Sequence, residues 1–274
     1  MLELIDTRYG RMLVLTHDHY ITGSLRAYGE YCEEEMELLR LFIKPGAHAL
    51  DIGANIGAHT LVMARCAGPG GLVTAYEPQD VIYNILTLNV RANGCGNVVP
   101  LPLGVGAAPQ QLYHERLDYT RLGNFGALGL RAAPLAPGSV VLVEALDYTP
   151  FPRLDFVKID VEGMELDVLQ GGARVLRAHR PVLYVENDRV EKSEELIAYL
   201  QQVLGYTCYF HLCPLYSPAN YNRNVGDIFG NTVAINMLCL PAEQEPDRTL
   251  AALPPPFNRL VRVAGTDFHP LKVH

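Results

Sequence analysis

From residue 47 onward the sequence alternates strand-length apolar runs with helix-length segments, and this alternation restricts the fold more than any other feature. AHALDI (47–52), LVTAY (72–76), NVVPL (97–101), LDFVKID (154–160) and PVLYVE (181–186) read as strands. Residues 57–67 pattern as a helix stopped by Gly68-Pro69-Gly70-Gly71. Val81, Ile82, Ile85, Leu86 and Leu88 mark an amphipathic helix closed by Gly94, with Pro78 ahead of it where a first turn tolerates proline. Further helices are expected over 165–179 and 191–204, the second closed by Gly205. Strands joined through helices make right-handed crossovers, hence a parallel sheet covered on both faces. YTCYFHL (206–212) and TVAINMLCL (232–240) are separated only by a linker rich in Pro, Asn, Tyr and Gly, so that pair is expected to run antiparallel.

The two ends differ from this pattern. Residues 1–45 read as a cap: a small β element, then a helix over about 33–43 whose Glu33, Glu34, Glu35 and Glu37 favour the positive end of its dipole. Residues 46–240 form the α/β domain, and 241–274, with Pro254-Pro255-Pro256, read as an arm. With 49% hydrophobic residues the chain is too apolar to be disordered, yet it has no apolar run of about 18 residues to span a membrane as a helix. MLELIDTRYG lacks the basic start and apolar core of a signal peptide. A net charge of −8 makes nucleic acid a poor partner. The six cysteines, Cys32, Cys66, Cys95, Cys208, Cys213 and Cys239, form no C-x-x-C and are expected to be buried free thiols in a reducing cytoplasm.

The most informative segment is Asp51-Ile-Gly53-Ala-Asn55-Ile-Gly57, where the first strand of this series turns into a helix. Glycines there take positive φ and let a ligand approach the backbone, and the helix start offers free N–H groups to an anion. A phosphate loop needs G-x-x-x-x-G-K-[ST], but Ala58-His59 follows Gly57. A dinucleotide fingerprint needs G-x-G-x-x-G, and Ala54-Asn55 breaks it. S-adenosylmethionine (SAM) fits better, because the loop then holds one carboxylate and no phosphate. Its ribose diol calls for a carboxylate at the end of the second strand, where Glu77 stands beside Pro78.

ALDIGANIGAHT (49–60), AYEP (75–78), LDFVKIDVEGMELDVLQGG (154–172) and PVLYVEND (181–188) together resemble the FkbM family of SAM-dependent methyltransferases. YGEY (28–31), SPANYNRN (217–224) and NTVAINMLCLP (231–241) are similar to members of the same family, so the resemblance covers roughly residues 10–241. It implies a class I, Rossmann-like sheet of seven strands, mostly parallel with an antiparallel C-terminal strand. It also implies methyl transfer, commonly to hydroxyls of sugars or natural products. It further places Tyr28 and Glu30 over the methionine end of SAM.

Ligands of a doubly wound sheet collect beyond the carboxyl ends of its strands. Asp160 ends one strand, Glu162 follows it, and Glu186 ends the next, so the three border one acceptor site. Asp160 or Glu186 then acts as a base or orients the acceptor hydroxyl. In the less favoured alternative, Asp160, Glu186 and Asn187 hold Mg²⁺. Lys158 shares the face of Asp160 and pairs with these acids or holds the acceptor. Gly104 follows the third strand, where adenine lies in this fold class. Asn124, in the glycine-rich stretch 113–130, and Asn220, in an Asn-rich run, are candidate contacts to a polar acceptor. His59 reads as a surface or capping histidine.

The expected partner is thus a small molecule or glycan, with neither nucleic acid nor membrane, and nothing in the sequence bars a homo-oligomer. A base methyltransferase of nucleic acids would carry [DNS]-P-P-[YF] where this chain has Asp160-Val-Glu-Gly163. The rival readings are a SAM-binding regulator without catalysis and an N-methyltransferase of a small molecule.

Overall fold

The computed structural model describes residues 2–127, 129–134, 138–257, 260–265 and 270. The chain begins with an antiparallel hairpin of β1 (Leu2–Thr7) and β2 (Gly10–Leu15), followed by α1 (Ile21–Tyr28) and α2 (Glu33–Phe42). The α/β part then runs β3 (His48–Ile52), α3 (Ala58–Ala67), β4 (Leu72–Tyr76), α4 (Asp80–Ala92) and β5 (Val98–Leu101). A separate three-stranded sheet comes next: β6 (Gly104–Val105), β7 (Gln110–Glu115) and β8 (Gly138–Glu144). The chain returns through β9 (Phe156–Ile159), α5 (Glu165–Gly171), α6 (Ala173–His179), β10 (Val182–Glu186) and α7 (Val190–Ala198). It ends in β11 (Tyr206–Pro214), β12 (Val233–Pro241), α8 (Pro246–Ala251) and β13 (Val261–Arg262).

The main sheet has the order β13-β11-β12-β10-β9-β3-β4-β5. Its β5, β4, β3, β9 and β10 are parallel, and β12 is antiparallel to both β10 and β11. This is the expected seven-stranded class I arrangement, with the two-residue β13 added at the β11 edge. The arm supplies that eighth strand, and the Tyr209 hydroxyl of β11 fastens it by donating to Asp247 (2.6 Å). The helix expected over 165–179 is broken at Gly172, which separates α5 from α6.

The cap is packed onto the sheet rather than standing apart. Asn89 of α4 accepts the backbone N–H of Leu13 (2.7 Å) and donates to its carbonyl (3.0 Å). Tyr9, Met12 and Val14 share a buried apolar cluster with Leu61 and Met63 of α3 and Ile82 and Leu86 of α4. That burial, worth about 25 cal/mol per Å² of apolar surface, seats α1 and α2 over the carboxyl ends of the strands. The six cysteines are free thiols, five of them buried. Among the described residues no helix is long and apolar enough to cross a membrane.

Candidate active site

The chain reverses direction across the sheet between β3 and β9, the place where a doubly wound sheet opens a crevice. Two adjoining clefts open there, of about 460 and 1160 Å³ including their mouths, and Gly53, Glu77, Gly126, Asp160 and Glu162 line both. Gly53, Asn55 and Gly57 all take positive φ, which folds the turn tightly between β3 and α3. Gly53 and Ala54 donate their N–H groups to the carbonyl of Tyr76. Asp51 lies fully buried beneath the turn, where it accepts the Thr60 hydroxyl at 2.6 Å.

Glu77 closes the turn from the end of β4. Its two oxygens accept the backbone N–H groups of Gln79 (2.9 Å) and Asn55 (3.0 Å). Burial pushes its carboxyl up to about 7 against the pull of those donors. Pro78 and Gly104 line the smaller cleft with Leu103 and Met164.

The larger cleft is bordered by acids. Asp51 and Lys158 are register partners on β3 and β9, and Lys158 Nζ reaches Asp160 at 3.0 Å and Asp51 at 3.5 Å. Burial pulls the Lys158 ammonium down, but these two carboxylates outweigh it and hold it above its ordinary value. Glu162, in a left-handed turn, pairs with Arg189 at 2.7 Å. Burial and then Asp160 push its carboxyl up to about 8. Glu186 Oε2 is shielded and has no hydrogen-bond partner among the described residues. Burial, then Asp160 and Glu162, push the Glu186 carboxyl well above the usual range. Carboxylate oxygens of Asp160, Glu162 and Glu186 lie within 4.8 Å of one another.

The structure thus brings Gly53, Asn55, Glu77, Pro78, Gly104, Lys158, Asp160, Glu162, Glu186 and Asn124 to the two clefts. Asp51 and Gly57 shape the turn from behind. Four expected contacts lie elsewhere. The Tyr28 hydroxyl bonds the backbone of Ile228 and Gly226, and Glu30 pairs with Arg8 (2.8 Å) and accepts the N–H of Tyr221, so both hold the 213–231 linker. Asn220 braces that linker internally through Ser217 and Asn224. Asn187, one residue past Glu186, is directed into the fold, where it donates to Ser193 Oγ at 2.9 Å. Asp160, Glu162 and Glu186 thus form the acid cluster at the cleft, and Asn187 is not among its lining residues.

Known proteins match the segment that carries the turn and the strand-end acids. The family model for the methyltransferase FkbM domain matches residues 51–208, more than half of the chain. The chain belongs to the FkbM methyltransferase family. The hexuronic acid methyltransferase AglP of Haloferax volcanii is 27% identical over 149 residues, 53% of this chain and 59% of the relative. Methyltransferase sdnD of Sordaria araneosa is 33% identical over 153 residues, 44% of this chain and 59% of the relative. The aligned part thus spans less than two thirds of either relative. A solved FkbM methyltransferase from Methylobacillus flagellatus superposes with a TM-score of 0.48 at 16% identity, over 74% of this chain and 50% of that one.

The chain also brings to the cleft residues that sequence reasoning passed over. Glu35 of α2 is buried, not spread along a solvated helix start. Its Oε2 meets His59 Nε2 at 2.9 Å and its Oε1 accepts the Asn236 amide at 2.9 Å. Tyr31 lines the larger cleft beside His59, their rings edge to face at 6.2 Å. One signal was available: Asn236 is a polar residue inside the apolar run TVAINMLCL. A buried amide needs a partner.

Proposed function

We propose that this chain transfers the methyl group of SAM to a hydroxyl of a polar small molecule, sugar or glycan. One observation carries the reading: the turn closed by Glu77 and the acids at the ends of β9 and β10 open onto the same pair of clefts. The residues present fit SAM. Glu77, held by two backbone N–H groups, retains lone pairs for a ribose diol. Gly53 leaves the turn open to close approach, and the start of α3 offers free N–H groups to a carboxylate. When bound, SAM supplies a methyl carbon made electrophilic by its sulfonium.

The remaining work belongs to the acceptor half. Asp160, fixed by Lys158, and Glu186 border the space beyond the turn and would orient a hydroxyl by hydrogen bonding. Positioning of that kind is worth several kcal/mol of a displacement barrier. Glu162, at about 8, holds its proton at neutral pH and would act as a donor. The sugar-directed name of one relative supports a carbohydrate-like acceptor.

Calorimetric titration with SAM tests the first half of the reading. Formation of S-adenosylhomocysteine across a panel of monosaccharides, glycosides and natural-product polyols tests the second. Binding without product on that panel would favour a regulator, and no binding would end both readings.

A further inference from the structure

The proposed reaction leaves one question of proton traffic. An acceptor hydroxyl loses its proton as it attacks, and the acids at the cleft are poorly suited to take it. Asp160 stands 3.0 Å from the Lys158 ammonium, and Glu162, raised to about 8 by burial and then Asp160, already holds a proton at neutral pH. Burial, then Asp160 and Glu162, push the Glu186 carboxyl well above the usual range.

A different group is built for the task. His59 opens α3, is 7% exposed and lines the larger cleft. Its Nε2 lies 2.9 Å from Glu35 Oε2. Glu35 comes from α2 and is itself clamped by the Asn236 amide from β12, 201 residues away in sequence. Asn236 is the register partner of Glu186, so the clamp begins beside the acceptor acids. The Tyr31 ring stands edge to face against His59 and lines the same cleft as Asp160 and Glu186.

This arrangement determines the tautomer. A carboxylate only accepts hydrogen bonds, so Glu35 requires Nε2 to carry the imidazole proton. Nδ1 is then left with its lone pair, on the ring edge away from Glu35. A carboxylate behind an imidazole also stabilises the imidazolium formed when that lone pair takes a proton. So elaborate a support, drawn from three separate elements, exceeds what helix capping needs.

We infer that His59 is the general base of methyl transfer, with Glu35 and Asn236 as its positioning residues. The inference rests on the methyltransferase reading above. In the step, the acceptor O–H proton passes to His59 Nδ1 while the oxygen lone pair forms the new O–C bond. The C–S bond breaks, its electron pair remains on sulfur, and the imidazolium later returns its proton to water.

The test has two parts. Long-range ¹H–¹⁵N NMR of the full chain reads the tautomer directly: His59 should carry its proton on Nε2, and E35Q should mix or invert the tautomers. A wild-type His59 protonated on Nδ1 would overturn the inference without any turnover measurement. The second part compares H59Q, E35Q and N236A with the wild type, using the acceptor panel and SAM calorimetry. H59Q should lower kcat by about 10²–10⁴-fold, the range for loss of a general base, with SAM affinity retained. E35Q and N236A should lower kcat by smaller factors in that order, and E35D should restore part of the E35Q loss. Unchanged kcat in H59Q, or a loss confined to SAM affinity, would overturn the assignment and make His59 a cofactor contact. Failure of the wild type to bind SAM would instead strike the methyltransferase reading, so the two failures are distinguishable.

Discussion

Gly53 and Asp160 meet backbone to backbone: a Cβ on Gly53 would stand 1.7 Å from the carbonyl oxygen of Asp160. The contact packs the turn after β3 directly against the end of β9. Gly53 also has a φ of +82°, which a side chain resists. Gly53→Ala should therefore destabilise the chain by more than about 1 kcal/mol, lowering Tm by roughly 2–4 °C per kcal/mol, and abolish SAM binding. Thermal unfolding and calorimetry check this, and a wild-type Tm with intact binding would contradict it.

Glu77 should make SAM binding dependent on pH. Burial holds its carboxyl at about 7, so it is ionised at pH 8 and gains a proton as pH falls through that value. The proton removes an acceptor for the ribose diol. Affinity for SAM should weaken below pH 7, approaching roughly tenfold per pH unit at the limit. In Glu77→Gln binding should be weak at all pH values and the slope should disappear. Titrations at pH 5.5, 6.5 and 7.5 measure the slope, and a flat wild-type profile would exclude the carboxyl as acceptor.

These two residues were legible in the sequence because their roles are local. The strand-turn-helix pattern at 47–67 places Gly53, and strand length places Glu77, Asp160 and Glu186 at carboxyl ends. Asn187 lies one residue past the end of β10, so strand position alone does not set its direction. Glu35 was illegible because four acids at a helix start already satisfy a dipole argument, while its real partners, His59 and Asn236, lie 24 and 201 residues away. The β6–β8 sheet was missed as a unit, since the glycine-rich segment 113–130, read as a loop, takes in the end of β7. Tyr28 and Glu30 lie only a few residues before Tyr31, which reaches the cleft. Only the tertiary path of the 213–231 linker separates their roles.

Glu186 should cost stability at alkaline pH. Its carboxyl is raised above its unfolded value, so the folded chain keeps a proton that the unfolded chain releases above about pH 4.5. Stability from this group is present in acid and declines as pH rises above that unfolded value toward the folded pKa. Glu186→Gln removes the burden. Its Tm should exceed that of the wild type at pH 8, by on the order of 2–4 °C for each kcal/mol relieved, and match it near pH 4. A lower Tm at pH 8 would show that the ionised carboxylate is stabilised by a contact other than those seen.

Asp160, Glu162 and Glu186 are close enough together to tempt a metal assignment. Lys158 and Arg189 already supply positive charge to two of the three. Turnover should therefore be unchanged by EDTA and by added Mg²⁺ in the wild type. Loss of activity in EDTA that Mg²⁺ restores would assign these acids to a cation instead.

Glu30 provides the counterpart to Glu77. It is as deeply buried, but its partners are Arg8 and the Tyr221 N–H, and with Tyr28 it fastens the 213–231 linker to α1. Glu30→Gln weakens a charge-assisted anchor, a loss of about 1–3 kcal/mol, without touching the cofactor turn. SAM affinity should stay close to wild type, while trypsin should cut faster at Arg223, which lies in the released linker. Limited proteolysis and calorimetry on the same variant decide between the two placements. Weakened SAM binding with an undisturbed cleavage rate would return Glu30 to the cofactor.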